Sequence, residues 1–353
     1  MNTSPEPPPE APRLTGVPSW GDRPGNADLS PTPGPGRPHG HVDYDFPGVE
    51  VGVATYPEGP TGTTVVHVPA GARMAIDARG GAIGLSSGFE YLAHAVCLTG
   101  GSVYGLGAGS GVAAELLTRA GNRTSMENLR LVSTAVIYDF SARDNSVVPD
   151  ARLGREAVRA AGHGSVPVGR VGAGASASAG KVDWSRCEFA GQGAAFRRAG
   201  DVRVLVVTVV NPLGVIVDRD GTVVRGNYDT ATGTRRHLDS DYATALDAAA
   251  VPRAEHGNTT LTVVVTNAAL DDRELDHFAR QVHGSMHRAI VPFHTEHDGD
   301  TLFALTTDEI DLGRGADDVP RSVAVGAIAA EAAWDAVLGS VRPHSTNDPQ
   351  EQQ

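Results

Sequence analysis

The residues best placed to do chemistry lie late in the chain, in AEHGNTTLTVVVTNA, Ala254 to Ala268. A Gly-Asn step precedes Thr259 and Thr260, and a β-branched run follows them. A threonine hydroxyl is a weak nucleophile at neutral pH because it holds its proton tightly. One remedy is to take the base from the same residue. Cleavage of the Asn258–Thr259 bond would give Thr259 a free α-amine, whose unperturbed pKa of about 7.7–8.0 suits a base near neutral pH. The cut would begin with the Thr259 hydroxyl attacking the Asn258 carbonyl, and the strand LTVVVT would then mount the new terminus rigidly. Taken alone, the same residues also read as a plain turn entering a strand.

Other motifs offer less. GLSSG at 84–88 has the spacing of a nucleophile elbow with Ser86 at its centre, but DARGG before it is a poor strand and the elbow requires one. GAGASA at 172–177 loosely resembles a dinucleotide fingerprint without a strand leading in. GASASAGKV, ending at Lys181 and Val182, fails as a phosphate loop. It has five residues between its glycines instead of four, and Val182 stands where a magnesium-binding hydroxyl belongs. His283 and His287 in HGSMH have the i, i+4 spacing of two zinc ligands on a helix, yet no third ligand or adjacent glutamate base accompanies them. A solvent-facing or hydrogen-bonded pair is the simpler reading.

Any such site needs elements to position it. Short β-branched runs bounded by Gly, Pro or Asn read as strands: TTVVHVPA, HAVCLTGG, VRVLVVTVVN, GVIVD and LTVVVTN. VRVLVVTVVN is apolar on both faces and must lie between two layers. Helices are expected at 104–120, 152–161, 272–289 and 321–338. In the third, Leu275, Phe278, Ala279, Val282, Met286 and Ile290 recur at helical spacing behind a cap at Asp271 or Asp272. Residues 1–43 hold eleven of the 23 prolines and read as an extended or disordered arm; the end beyond 339 reads as a second disordered tail. Residues 44–339 show no linker and no repeat, so a single α/β domain is expected there, with sheets inside and helices outside.

The formal net charge of −13 argues against nucleic acid or an anionic membrane as a partner. No apolar run approaches the roughly 20 residues of a membrane span, and no secretory leader is legible. Two cysteines, Cys97 and Cys187, do not make a disulfide framework, and a cytoplasmic location is expected.

Several tracts carry a resemblance when taken in order: DARGGAIGL, TGGSVYGLGAGSGV, VGAGASASAGKVDW, GNTTLTVVVTNA and HFARQVHGSMHRAIVPFHTEHDGDTLFALTT. Together they resemble the aminopeptidase/D-esterase family of self-cleaving amidases, over roughly Tyr44 to Leu338. VIYDFSAR, GQGAAFRR, NPLGVIVDRDGTVVRGNYD and TTDEIDL are similar to the branch that cuts internal amide bonds of 6-aminohexanoate oligomers. The resemblance implies a four-layer αββα sandwich of the N-terminal-nucleophile-hydrolase kind and cleavage into residues 1–258 and 259–353. It implies Thr259 as nucleophile, freed from Asn258, with Asp298 and Asp300 serving it. Carboxylates two apart on an extended segment share a face and push their pKa values apart. It further implies Lys181 as the site lysine, where an exposed lysine would otherwise be the default, and Asn211 and Tyr138 as groups that meet the substrate carbonyl. A homotetramer of cleaved protomers is implied, with a linear amide oligomer as substrate and no cofactor or metal.

Three rivals share parts of this reading. An aminopeptidase or β-peptidase keeps the chemistry and changes the substrate. An acyltransferase with a self-cleaving threonine, of the ornithine acetyltransferase kind, would need an acceptor tract that is not seen before Thr259. An uncleaved binding protein would keep the fold alone.

Overall fold

The computed structural model describes residues 23–87, 91–247, 257–313 and 321–342. Eleven strands form one sheet: β1 Arg37–Asp43, β2 Glu50–Tyr56, β3 Thr61–Ala78, β4 Leu85–Ser86, β5 Leu92–Thr99, β6 Val132–Val136, β7 Ser165–Arg170, β8 Gln192–Ala199, β9 Val202–Asn211, β10 Thr259–Ala268 and β11 Thr301–Ile310. The order is β1-β7-β8-β9-β10-β11-β3-β5-β6-β4, with β2 paired to β3. The long strand β3 belongs to both halves. Its first part, Thr61–His67, pairs with β2 and β5, and its last part, Arg73–Ala78, pairs with β11. The ribbon therefore doubles over and buries one face against itself.

Side-chain alternation shows the layers. Along β9, Leu205, Val207 and Val209 enter the core between the two sheet halves, while Val204, Val206 and Val210 enter the core beneath the helices. The between-sheet core also takes Leu261, Val263 and Val265 of β10 and Val66, Val96 and Val168 from other strands. Helices α4, Asp272–Ser285, and α5, Arg321–Gly339, cover the outer face of β8 to β11. Helices α1, Gly107–Arg119, and α2, Ala151–Arg159, cover β2, β5 and β6 through Val112, Leu116, Leu153 and Val158. The result is the expected αββα sandwich.

The four expected helices form within a few residues of their expected ends. The segments before α1 and after α4 tighten into 3₁₀ turns, Ser102–Leu106 and Met286–Arg288. Asp271 caps α4 with a reciprocal bond to Glu274, as its position before the periodic run suggests. A further helix, α3 at Asp239–Asp247, has no apolar stripe by which the sequence could announce it. Helix α5 is the one described helix long and apolar enough to cross a membrane, and Ala329, Ala332, Ala333, Ala336 and Val337 bury it against the sheet.

The proline-rich arm needs correction. Residues 1–22 lie outside the described residues, but from residue 23 the segment is ordered. Asn26 bonds Val148 and Asp150, Gly34 and Thr55 exchange backbone hydrogen bonds of 2.8 and 2.9 Å, and β1 pairs antiparallel with β7. Proline tolerates this place because β1 is an edge strand, where Pro38 needs no N–H for a ladder. At the other end, Ser340–Arg342 follow α5, and the rest of the expected tail lies outside the described residues.

Helix α5 presses on β8 where the strand carries Gly193. A methyl carbon there would lie 1.8 Å from the Ala336 carbonyl oxygen. Gly193→Ala is therefore expected to destabilise the protein by roughly 1–3 kcal/mol through overpacking. The measurement is the thermal unfolding midpoint, and an unchanged midpoint would contradict this contact.

Candidate active site

Strands β10 and β11 are parallel, joined by α4 as a crossover, so both enter the sheet from the same end. Thr259 opens β10, and the acidic pair stands just before β11; a bridge joins Asn258 to Asp298 across the gap. On the other side β9 runs antiparallel and ends with Asn211 opposite Thr259. Three strand ends thus bring together residues separated by almost ninety positions in sequence.

The Thr259 hydroxyl donates to the Asn258 carbonyl oxygen, and the Gly299 N–H donates to that same oxygen at 2.9 Å. A side-chain carbon at Gly299 would stand 2.8 Å from Thr259 Oγ1 and 2.5 Å from the Ala82 carbonyl oxygen, so only glycine fits between the two aspartates.

Both aspartates are buried completely, and each carboxylate accepts three hydrogen bonds. One oxygen of Asp300 accepts the Thr260 N–H at 2.6 Å; the other accepts the His294 N–H and Nδ1, each at 3.0 Å. Asp298 accepts the Leu213 N–H at 3.2 Å on one oxygen, and the Thr295 N–H and hydroxyl on the other. Burial pushes both carboxyls up to about 6, and for Asp298 the neighbouring charge of Asp300 adds to it, while the backbone donors pull the other way.

Lys181 is buried, not exposed as an isolated lysine would be. Its ammonium donates to the Asn211 carbonyl at 2.9 Å and to Asn211 Oδ1 at 2.8 Å, with the Gly257 carbonyl 3.5 Å away. Loss of hydration lowers it to about 8, against the opposing pull of Asp298 and Asp300. Asn211 Oδ1 also accepts the Ser178 N–H, which fixes the amide's orientation. Its Nδ2 then faces Tyr138, donating one N–H to that residue's carbonyl at 3.1 Å. The Tyr138 ring lies against Gly257 and edge-on to Phe140, and burial raises its phenol. Asp139, buried with Arg143, ties this segment to Gly101 and Thr61.

All seven residues singled out in the sequence, Tyr138, Lys181, Asn211, Asn258, Thr259, Asp298 and Asp300, thus belong to one cluster. Of the motifs set aside as wholes, GASASAGKV nonetheless supplies Lys181 and the Ser178 N–H to the cluster. Ser86 is exposed on β4 opposite Thr134, with no elbow, and 172–174 form a buried 3₁₀ turn. Among the described residues, no group of three or more potential ligands could hold a metal ion. The sequence reading missed Gly299, Leu213 and Ser178, which act through backbone N–H groups that carry no sequence signal. It also missed His294 and Thr295. Thr295 stands three residues before Asp298, a spacing that could have marked it as a local partner.

The chain matches the sequence model of peptidase family S58 over residues 44–347. It is 59% identical over 336 residues to a 6-aminohexanoate-oligomer endohydrolase of Paenarthrobacter ureafaciens, covering 93% of each chain. Its fold is similar to that of a Burkholderia β-aminopeptidase, with a TM-score of 0.59 at 19% identity, covering 89% of this chain and 90% of that one. The same TM-score, at 16% identity and 89% coverage of both chains, relates it to the L-aminopeptidase D-Ala-esterase/amidase of Ochrobactrum anthropi, described as a variant of the Ntn hydrolase fold. With a family match across most of its length and a site assembled at the mouth of its central strands, this chain belongs to peptidase family S58.

Proposed function

We propose that the chain cuts itself between Asn258 and Thr259 and then hydrolyses internal amide bonds of linear ω-amino-acid oligomers of the 6-aminohexanoate kind. The observation that carries the first step is the pair of hydrogen bonds converging on the Asn258 carbonyl oxygen, one from the Thr259 hydroxyl and one from the Gly299 N–H. In the cut, Thr259 Oγ1 bonds to the Asn258 carbonyl carbon, the C–N bond breaks, and the hydroxyl proton passes to the departing amine. Charge building on the oxygen meets the Gly299 N–H, a fixed donor of the kind worth about 3 kcal/mol to a developing oxyanion. Water resolves the ester, leaving a carboxylate on Asn258 and a hydroxyl on Thr259.

The freed amine then serves as base for its own hydroxyl. A substrate amide is attacked in the same way, its acyl group passing to Thr259 Oγ1 and its amine leaving with the proton. Water completes the turnover. Asn211 retains an N–H beyond the one bound to Tyr138, and it is assigned with Tyr138 to the substrate carbonyl. Lys181 lies close by with its charge weakened by burial and biases the new amine toward its neutral form. Internal cleavage is preferred to single-residue release because the chain is 59% identical to an endohydrolase. The high identity to the Paenarthrobacter endohydrolase points to the same substrate class. Assembly of cleaved protomers into a homotetramer and a cytoplasmic location belong to the same proposal. The first rests on the resemblance and the second on two buried free cysteines.

Thr259→Ala is expected to stay one chain on a denaturing gel and to lose essentially all amidase activity, while the parent's smaller fragment begins Thr-Thr-Leu by terminal sequencing. A cleaved and active Thr259→Ala protein would refute the nucleophile. On a defined 6-aminohexanoate oligomer, the early products are expected to include fragments of several lengths; release of single residues from one end would favour the aminopeptidase. The pH dependence follows from the shifts. The acidic pair, raised to about 6 by burial, gains protons as pH falls through that value and loses the charge that holds the Thr260 N–H. The new amine must be neutral, and the neighbouring Lys181 ammonium draws it below its ordinary value of about 7.7–8.0. The kcat/KM profile is therefore expected to climb in two steps, one near pH 6 and one below about pH 8, and the lower step belongs to the coupled pair.

A further inference from the structure

Behind Asp300, on the side away from Thr259, lies a histidine cluster that the chemistry above does not use. The His294 ring stacks on Phe293 at 4.0 Å between centroids, and the rings of His283 and His287 meet it edge-on at 4.3 and 4.7 Å. The i, i+4 pair on α4 and the turn after it thus contributes packing surfaces to His294. His283 is fully buried, and its Nδ1 bonds Asp77 at 3.0 Å. Neither His283 Nε2 nor His294 Nε2 has a hydrogen-bond partner among the described residues. His294 also adopts a left-handed backbone, φ 59°, which turns its N–H and its Nδ1 onto the same oxygen of Asp300.

We propose that His294 is a positioning residue: clamped by His283, His287 and Phe293, it holds one oxygen of Asp300 so that the other is fixed on the Thr260 N–H beside the nucleophile. Three rings around one imidazole leave it a single orientation. Burial, with His287 and Arg79 nearby, lowers this imidazole to about 4, so at working pH it is neutral and donates through Nδ1–H. A neutral donor steadies the carboxylate without cancelling the charge that the Thr260 N–H requires. The groups facing Asp300 are Asp298 and His294 on its own segment, His283 and His287 from α4 and its following turn, and Lys181 from the loop before β8; Asp77 of β3 and Arg79 just after it act on it through the histidines. None but His294 bonds its outer oxygen.

The inference rests on the self-cleavage reading and is tested apart from it. His294→Gly suits the left-handed backbone, keeps the backbone N–H and removes the ring. His294→Asn also tolerates that backbone and places an amide N–H near the site of Nδ1. Full-length variants and parent are compared by the gel time course of self-cleavage, by kcat and KM of the cleaved protein on a 6-aminohexanoate oligomer, and by the acid limb of the pH profile. His294→Gly is expected to slow self-cleavage and kcat about ten- to a hundredfold, the scale of a lost bond to a charged group, with little change in KM. Its acid limb should move upward by about one pH unit as the carboxylate loses a donor. His294→Asn should recover most of the rate and return the limb. The proposal is overturned if His294→Gly matches the parent in rate and limb. It is equally overturned if both variants slow alike with an unmoved limb and equally lowered thermal midpoints, since that pattern belongs to packing alone. A parent chain that never cleaves at Thr259 defeats the underlying reading instead, whatever the variants do.

Discussion

The parallel alignment of β10 with β11 is the constraint on which the site depends. Two parallel strands that start at the same end place the residue opening one beside the turn entering the other. Here that puts Thr259 against Asp298-Gly299-Asp300, and the register is pinned by the Gly299 N–H on the Asn258 carbonyl and by Asp300 on the Thr260 N–H. A slip of one residue would turn Leu261, Val263 and Val265 out of the between-sheet core, so hydrophobic burial enforces the alignment that the chemistry uses. The antiparallel strand β9 adds Asn211 from the same end, and Asn211 in turn gathers Lys181 and Tyr138.

Placing one ammonium and two carboxylates in a buried mouth is costly, and the structure offsets that cost mostly with backbone groups. Asp298 and Asp300 together accept N–H groups from Thr260, Leu213, His294 and Thr295, while Lys181 donates to carbonyls and an amide oxygen instead of to a carboxylate. Among the described residues, no Lys or Arg side chain pairs directly with Asp298 or Asp300, so burial keeps its weight. The carboxyls are held above their usual range and the lysine below its own, each closer to the pH at which protons must move. Backbone donors cannot rotate away, and they bind the site to the strands that define the fold. Mounting on the central strands also explains how two pieces could stay together after a cut at residue 258: β10 keeps β9 and β11 as partners on either side.

Some features were legible from the residues because the interactions concerned are local. The period of α4, its Asp271 cap and the two apolar faces of VRVLVVTVVN follow from neighbours within a few positions. The four-layer arrangement was expected from resemblance, and the structure gives its cause in a bent β3 shared by both sheet halves. Residues 23–43 depart from a disordered arm because proline content carries no sign that β7 leaves an edge for β1 to occupy. The contact of the HGSMH histidines with His294 depends on a turn whose path no spacing reveals.

The sequence by itself determined the helices α1, α2, α4 and α5 and the β-branched strands β3, β5, β9 and β10, and it marked Thr259 as a hydroxyl at the start of a buried strand, since periodicity and side-chain type act over short range. The tertiary structure alone decided that Lys181 is buried, that each aspartate accepts three hydrogen bonds, and that Gly299, Leu213 and Ser178 aim their N–H groups into the site. The physical reason is that burial and backbone donation belong to no residue type. They arise when distant strands meet, and only the folded chain fixes which ends come together.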